Sequence, residues 1–367
     1  MTRVQPKIEA FARIKVMGIG GSGSNTVDHM VLSKVKGVDF ISINTDAQDL
    51  HHSLSPKKIH IGKNLTKGLG AGMNPELGKQ AAEETKEEIQ EAIKGADMVF
   101  VTAGFGGGTG TGALPIIAKI AKEQGTLTVA VVTKPFSFEG AQRAKIAEEG
   151  LIELKDAVDA MIVIPNDRLM SIIQKETTFV SAFAICDEVL RQAVEGISDL
   201  ITLPGIINVD FADVKAIMKN AGSALMGIGV AQGEKRAEEA AKMAINSPLL
   251  DISIDGAKGI LFAIAGGEDM AMSEIQEAAK IITESVDEYA KIIFGAFHDS
   301  RLKKKEIKIT VVASGFPDES NSLKNKNILQ NANSNGESAN DKKTNNEETK
   351  KSWETTPAFL RRSKKEE

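Results

Sequence analysis

Between residues 13 and 316 the apolar positions gather into short, nearly continuous runs. Most of the segments between them carry the three- and four-residue spacing of amphipathic helices. The runs 13–19, 38–44, 97–103, 127–133 and 160–165 are rich in Val, Ile and other apolar residues and predict strands buried on both faces. Strand and helix signals alternating in this way imply βαβ crossovers and a mostly parallel sheet. A long helix is expected over 178–202, where Val180, Phe183, Ala184, Val189, Leu190, Ala193 and Ile197 fall on a recurrent face; its length suits a spine between two halves. Strands at 224–231, 260–265, 292–298 and 307–313, with helices at 234–246 and 273–286, then predict a second, smaller α/β unit. The pattern stops after Phe316. Residues 318–352 hold nine Asn among 35, five apolar residues and no aromatic. So little apolar surface cannot offset the entropy of ordering, and the segment reads as a disordered linker. Residues 353–367 restore aromatic, aliphatic and basic character, as expected of a tethered peptide.

Composition removes several function classes. The chain has 367 residues, 42% apolar and 26% charged, so a sizeable core is possible. With 45 basic against 50 acidic residues the net charge is −5, and aromatics reach only 4%. Neither a broad basic footprint nor a stacking surface for bases is present, so no nucleic-acid partner is expected. Cys186 is the single cysteine, which excludes an intrachain disulfide and fits a reducing compartment. The first residues, MTRVQPK, lack the apolar stretch of a signal peptide, and no run reaches the ~18 apolar residues of a membrane helix. The five histidines never adopt an HxxxH or HExxH spacing, so no protein-built metal site is expected.

The candidate chemistry lies in glycine loops after predicted strands, where open α/β sheets place their ligands. The first, GIGGSGSN at 18–25, precedes a helix expected from Thr26. Its glycines admit an anion close to backbone N–H groups. The spacing Gly18-x-Gly20-x-x-Gly23 matches the dinucleotide fingerprint, yet the second strand ends on Asn44 where a dehydrogenase would carry an acid for the ribose. The second, GLGAGMNP at 68–75, precedes a helix expected from Pro75. The third, AGFGGGTGTG at 103–112, opens a helix expected from Ala113 and has the density of a polyphosphate cradle rather than of a packing device. No GxxxxGK[ST] occurs, which excludes a P-loop enzyme. The fourth, LPGIINVDFADV at 203–214, ends the long helix and carries Asp210 and Asp213, three apart on one helix face. Asn208 or Asp210 can equally serve as a helix N-cap.

The motif GGGTGTG at 106–112, with NTDAQ at 44–48, NVDFADV at 208–214 and TPAFLRR at 356–362, resembles the tubulin/FtsZ GTPase family. The resemblance covers roughly residues 13–316 and the terminal motif. Ser22 and Ser24 stand where many members carry more glycine. The resemblance implies a Rossmann-like, parallel-sheet GTP-binding domain (1–177), a central helix (178–203), a smaller α/β activation domain (204–316), the linker (317–352) and a partner-binding peptide (353–367). It implies GTP or GDP as ligand, with Mg²⁺ held through the phosphates. Gly21, Ser22, Gly23, Ser24 and Asn25 with Gly108, Thr109 and Gly110 would hold the nucleotide's phosphates, Gly72 nearby, and Gly20, Asn44, Gly107 and Thr111 would also belong to the nucleotide site. Glu139 and Arg143 would reach the ribose and phosphates; their plain reading is an i,i+4 surface ion pair. Asn166 and Asp187 would read the base, a carboxylate suiting the N1–H and exocyclic amine of guanine. Asp187 can also be an ordinary helix carboxylate facing solvent. Asp210, Asp213 and Asn208 would complete the active site of the next subunit in a head-to-tail polymer. The chain would then be cytoplasmic, building the division ring at midcell on the inner face of the membrane. Its terminal peptide, from Trp353 to Arg362, would dock on a membrane-tethered adaptor of the FtsA type, and division regulators would bind. Two other readings compete. An NAD dehydrogenase conflicts with Asn44 and GGGTGTG, and a non-hydrolysing scaffold conflicts with the intact Asp210 and Asp213.

Overall fold

A computed structural model describes residues 12–170, 178–247, 254 and 256–316; the expected linker and terminal peptide lie outside the described residues. In the first half β1 (Ile14–Ile19), α1 (Gly20–Leu32), β2 (Val38–Asn44), α2 (Ala47–His52), β3 (Lys57–His60), α3 (Lys63–Thr66), α4 (Pro75–Glu84) and α5 (Lys86–Ile93) follow in order. Then come β4 (Met98–Gly104), α6 (Thr109–Glu123), β5 (Leu127–Lys134), α7 (Ala141–Ala157), β6 (Ala160–Pro165) and α8 (Asn166–Leu169). The long helix α9 (Phe179–Thr202) leads to β7 (Gly205–Ile207), α10 (Phe211–Met218), β8 (Gly222–Gln232), α11 (Arg236–Ile245), β9 (Gly259–Gly266), α12 (Met272–Glu284), β10 (Lys291–His298) and β11 (Glu306–Ser314).

The strands form one sheet in the order β3-β2-β1-β4-β5-β6-β8-β11-β9-β10-β7. From β3 to β6 every pair is parallel, as the alternating pattern requires. The second half is mixed: β11 runs antiparallel between β8 and β9, and β10 is parallel to β9. The join is narrow. β6 meets β8 in parallel over Ala160–Gly222, Met161–Ser223 and Ile162–Ala224. Buried Asp159 reinforces it, accepting from the Thr128 amide at 2.9 Å and the Asn220 amide at 3.3 Å.

Helix α9 starts on Thr178, whose hydroxyl accepts from the Ser181 amide at 3.2 Å, and stops before Pro204, which cannot continue a helix. Its apolar stripe, including Leu190, Ala193, Val194 and Ile197, packs into a core that runs from Phe100 in β4 to Leu261 in β9 and Val312 in β11. The spine is therefore bedded on both halves of the sheet.

Two helix starts differ from the sequence expectation. α1 begins at Gly20 rather than Thr26, and α6 at Thr109 rather than Ala113, so both glycine loops run into their helices' first turns. Gly20 makes this possible by taking φ +73 directly after β1. Packing also claims several of the glycines. A Cβ at Gly112 would overlap the Pro75 carbonyl, and one at Gly78 the Gly108 carbonyl, so α4 and α6 touch through bare backbone. The reading of the third loop as a cradle and not a packing device is thus corrected in its second part: Gly112 and the Gly108 carbonyl serve packing.

Candidate active site

The carboxyl ends of β1, β4, β5 and β6 open into a cavity of 460 Å³, walled by the first turns of α1 and α6 and by one flank of α9. Two helix N-termini facing one space present unpaired N–H groups and positive dipole ends, an environment for anions. No carboxylate sits in the first turn of either helix to compete for them. Gly20, Gly21, Ser22 and Asn25 line the cavity from α1, with Gly107 and Gly108 from the third loop, Thr109 and Gly110 from α6 and Gly72 from the second loop. Gly107 and Gly72 border open space: a Cβ on either meets nothing within 4 Å. Gly108 differs. Its amide donates to the Gly72 carbonyl at 2.7 Å, and a Cβ there would lie 2.7–2.8 Å from the Gly72, Ala71 and Asn74 carbonyl oxygens.

The far end of the cavity has different chemistry. Asn166 lies there, and its buried Oδ1 has no hydrogen-bond partner among the described residues. An orphaned acceptor facing a cavity fits a ligand N–H or O–H. Asp187 on α9 accepts from the Thr26 hydroxyl of α1 at 2.8 Å, and burial pushes its carboxyl above the ordinary range. Cys186 beside it is pushed up to about 12 by burial and remains a neutral thiol. Glu139 and Arg143 form an ion pair at 3.1 Å on the rim, and Glu139 also accepts from the Phe136 amide at 3.0 Å. Both line the cavity, so the pair is at once an i,i+4 brace and part of the site.

Four of the expected residues stand behind the lining. Gly23 lets α1 press against the Thr102 carbonyl of β4. Ser24 is buried, with a hydroxyl that has no partner among the described residues. Asn44 donates to Asp49 at 2.6 Å and accepts from the Asp46 amide at 3.3 Å, bracing the end of β2. Thr111 accepts from the Gly106 amide at 2.9 Å and so shapes the loop, where Gly106 has φ +100. Sequence reasoning missed Phe183 and Leu190 as lining residues. Phe183 packs edge-on against Phe136 at 5.4 Å. Its spacing of four before Asp187 on one helix was the available signal.

The acidic loop is elsewhere. Asn208, Asp210 and Asp213 are all exposed beyond the other end of α9, which at 24 residues and ~1.5 Å per residue spans about 36 Å. Asn208 accepts from the Gly205 amide at 2.7 Å, and Asp210 N-caps α10, its Oδ1 accepting from the Ala212 amide at 3.0 Å. The cap leaves Oδ2 of Asp210 without a partner among the described residues. Among those residues no cluster of three or more His, Cys, Asp or Glu could hold a metal ion, and no helix is long and apolar enough to cross a membrane.

A cavity at the carboxyl edge of a parallel sheet, bounded by two helix N-termini and bare glycine backbone, defines a nucleotide-binding α/β protein outside the P-loop class. Comparison with known proteins narrows this. The GTPase-domain model of the Tubulin/FtsZ family matches residues 13–174, and the C-terminal domain model of the FtsZ family matches residues 222–317. An empty FtsZ dimer from M. jannaschii is similar at 49% identity and TM-score 0.80, over 84% of this chain and 89% of that one. A point mutant of the same protein agrees at 49% identity and TM-score 0.80, over 83% and 92%. CetZ1 from Haloferax volcanii, a GDP-bound monomer, shares the fold at TM-score 0.72 and 22% identity, over 88% and 99%. The chain belongs to the Tubulin/FtsZ family and carries its GTPase domain.

Proposed function

We propose that this chain hydrolyses GTP at sites shared between copies, assembling head-to-tail into filaments that form a cell-division ring and turn over as GTP is consumed. The observation that carries the reading is the separation of the two chemistries. Among the described residues that line the cavity the carboxylates are Glu139, paired with Arg143, and Asp187, bonded to Thr26, while Asp210 and Asp213 lie beyond the far end of α9, whose stretch from Asp187 to Thr202 spans about 22 Å. A second copy stacked end to end brings its Asp210 and Asp213 over the first copy's cavity. Such a contact is heterologous and propagates. The M. jannaschii relative, an FtsZ dimer, supports self-association.

In this reading the glycine backbone of α1 and α6 holds the phosphates, Glu139 and Arg143 the sugar side, and Asn166 and Asp187 the base. An ionised Asp187 accepts from guanine's N1–H and amine, and repels the unprotonated N1 of adenine. Mg²⁺, held through the phosphates, would supply charge neutralisation. From the neighbour, Asp210 has one oxygen tied as a helix cap and the other free to accept from the attacking water. The water's oxygen bonds to the γ-phosphorus as the bond to the β-γ bridging oxygen breaks; the water's proton passes to Asp210 and on to solvent, and GDP and inorganic phosphate leave. We assign residues 353–362 to a membrane-tethered adaptor of the FtsA type, with assembly at midcell. The testing experiment is GTPase rate per molecule against protein concentration. A threshold with cooperative onset is expected; a constant rate down to nanomolar protein refutes the shared site.

A further inference from the structure

Thr45, which lies in the NTDAQ motif but is not among the expected site residues, follows β2 and is fully buried. Its hydroxyl lies 2.6 Å from that of Thr109, which lines the cavity. The Thr45 main chain is held firmly: its carbonyl accepts from His60 Nε2 at 3.1 Å and from the Thr66 hydroxyl at 3.2 Å.

Either threonine could donate, and the surroundings decide which does. A hydroxyl has one hydrogen to give. Were Thr109 the donor, the Thr45 hydrogen would be sealed from water with no acceptor among the described residues. A buried donor left unpaired costs more than an ordinary hydrogen bond contributes. Thr109 is only partly buried and faces the cavity, where water or ligand can take its hydrogen. Thr45 therefore donates, Thr109 accepts, and the Thr109 hydrogen is left for whatever fills the cavity. A hydroxyl that accepts a hydrogen bond is also polarised toward donating one.

We infer that Thr45 is a positioning residue whose buried hydroxyl commits Thr109 to donate to a phosphate oxygen of the bound nucleotide. A phosphate oxygen carries lone pairs and no hydrogen, so it matches a site that offers only a donor. The inference rests on the GTP-site reading above.

The test uses the full chain with Mg²⁺ and equilibrium titration of guanosine, GDP and GTP into wild type, Thr45→Val, Thr45→Ser, Thr109→Val and the Thr45→Val/Thr109→Val double variant. Thr45→Val should weaken GDP and GTP roughly tenfold, the scale of one hydrogen bond to a charged group, with guanosine unchanged. Thr45→Ser, which keeps the donor, should bind as wild type. In the Thr109→Val background, Thr45→Val should add nothing further. Unchanged GDP and GTP affinity in Thr45→Val overturns the inference. So does an equal loss for guanosine, the mark of general loop damage, and so does a Thr45 effect undiminished without the Thr109 hydroxyl. Should Thr45→Val melt too low to titrate, Thr109→Val reads the same donor from the cavity side: a tenfold phosphate-dependent loss supports it and no loss overturns it. A wild-type chain that binds neither GDP nor GTP would refute the nucleotide reading as well; normal wild-type binding with an unaffected Thr45→Val refutes this inference alone.

Discussion

The two ends of α9 are built from opposite materials. At the first end Phe183, Cys186, Asp187 and Leu190 line a cavity whose phosphate-side chemistry is mostly main chain, and the Asp187 carboxylate is half-buried and tied to Thr26. At the other end Asn208, Asp210 and Asp213 are exposed side chains, each able to reach solvent or another molecule. Holding a polyphosphate calls for many fixed donors at low positional cost, which glycine backbone at helix N-termini supplies. Orienting a water calls for a free carboxylate, which beside that cradle would repel the ligand's own charge. On the shared-site proposal, the helix bedded on both halves of the sheet keeps the two apart until a second copy reunites them.

The contrast breaks most completely at the acidic end. Asp210→Ala should bind GTP as wild type, since the cavity is untouched, yet lose hydrolysis by roughly 10²–10⁴-fold, the range for a lost general acid-base group. Paired binding and phosphate-release assays check this, and a parallel loss of affinity would tie Asp210 to the cavity instead. Next in size is the cradle, where neighbouring glycines should respond differently. Gly108→Ser drives a side chain among three carbonyl oxygens, so melting temperature and GTP affinity should both fall, by roughly 1–3 kcal/mol in stability. Gly107→Ala points into open space and should leave the melting temperature unchanged. Calorimetry on both variants would show whether the loop's glycines divide this way.

The smallest effect concerns pH. Burial raises the Asp187 pKa, so ionising it costs the folded chain: stability from this group falls as pH rises from the unfolded toward the folded value. Guanine's donors prefer the carboxylate, so acidification through that raised pKa should weaken GTP binding while the empty chain gains stability. Asp187→Asn should flatten both trends, measured by titration and melting across pH 4–7. A wild-type affinity independent of pH over that range would remove Asp187 from base reading.

Much of the parallel half could be read from the chain, because strands buried on both faces leave uninterrupted runs such as 127–133. β3 and β7 escaped because they are 4 and 3 residues long, too short for any period to register. The continuity of the sheet escaped too, since three paired residues between β6 and β8 decide it and pairing across 60 positions has no local signature. At the candidate site, glycine spacing marked loops that border the cavity but not which glycine faces the cavity and which faces backbone. Gly107 and Gly112 are alike in sequence; one borders the cavity and the other lies under the Pro75 carbonyl. The part played by Thr45 was invisible for a related reason, since a buried hydroxyl gains meaning only from its partner.

The shared site is tested most directly by mixing two inactive chains. Asp210→Ala keeps the cradle and lacks the carboxylate. Gly107→Asp keeps Asp210 but places a negative charge where Gly107 borders open cavity, without the backbone clash that Gly108→Ser brings. Co-assembly is established first by co-sedimentation, and phosphate release is then compared with the sum of the separate rates. Hydrolysis well above that sum, highest near equal proportions, is the predicted result, because one class of contact then joins a working cradle to a working Asp210. A mixture that co-assembles and gives only the sum contradicts a site completed by the neighbouring subunit.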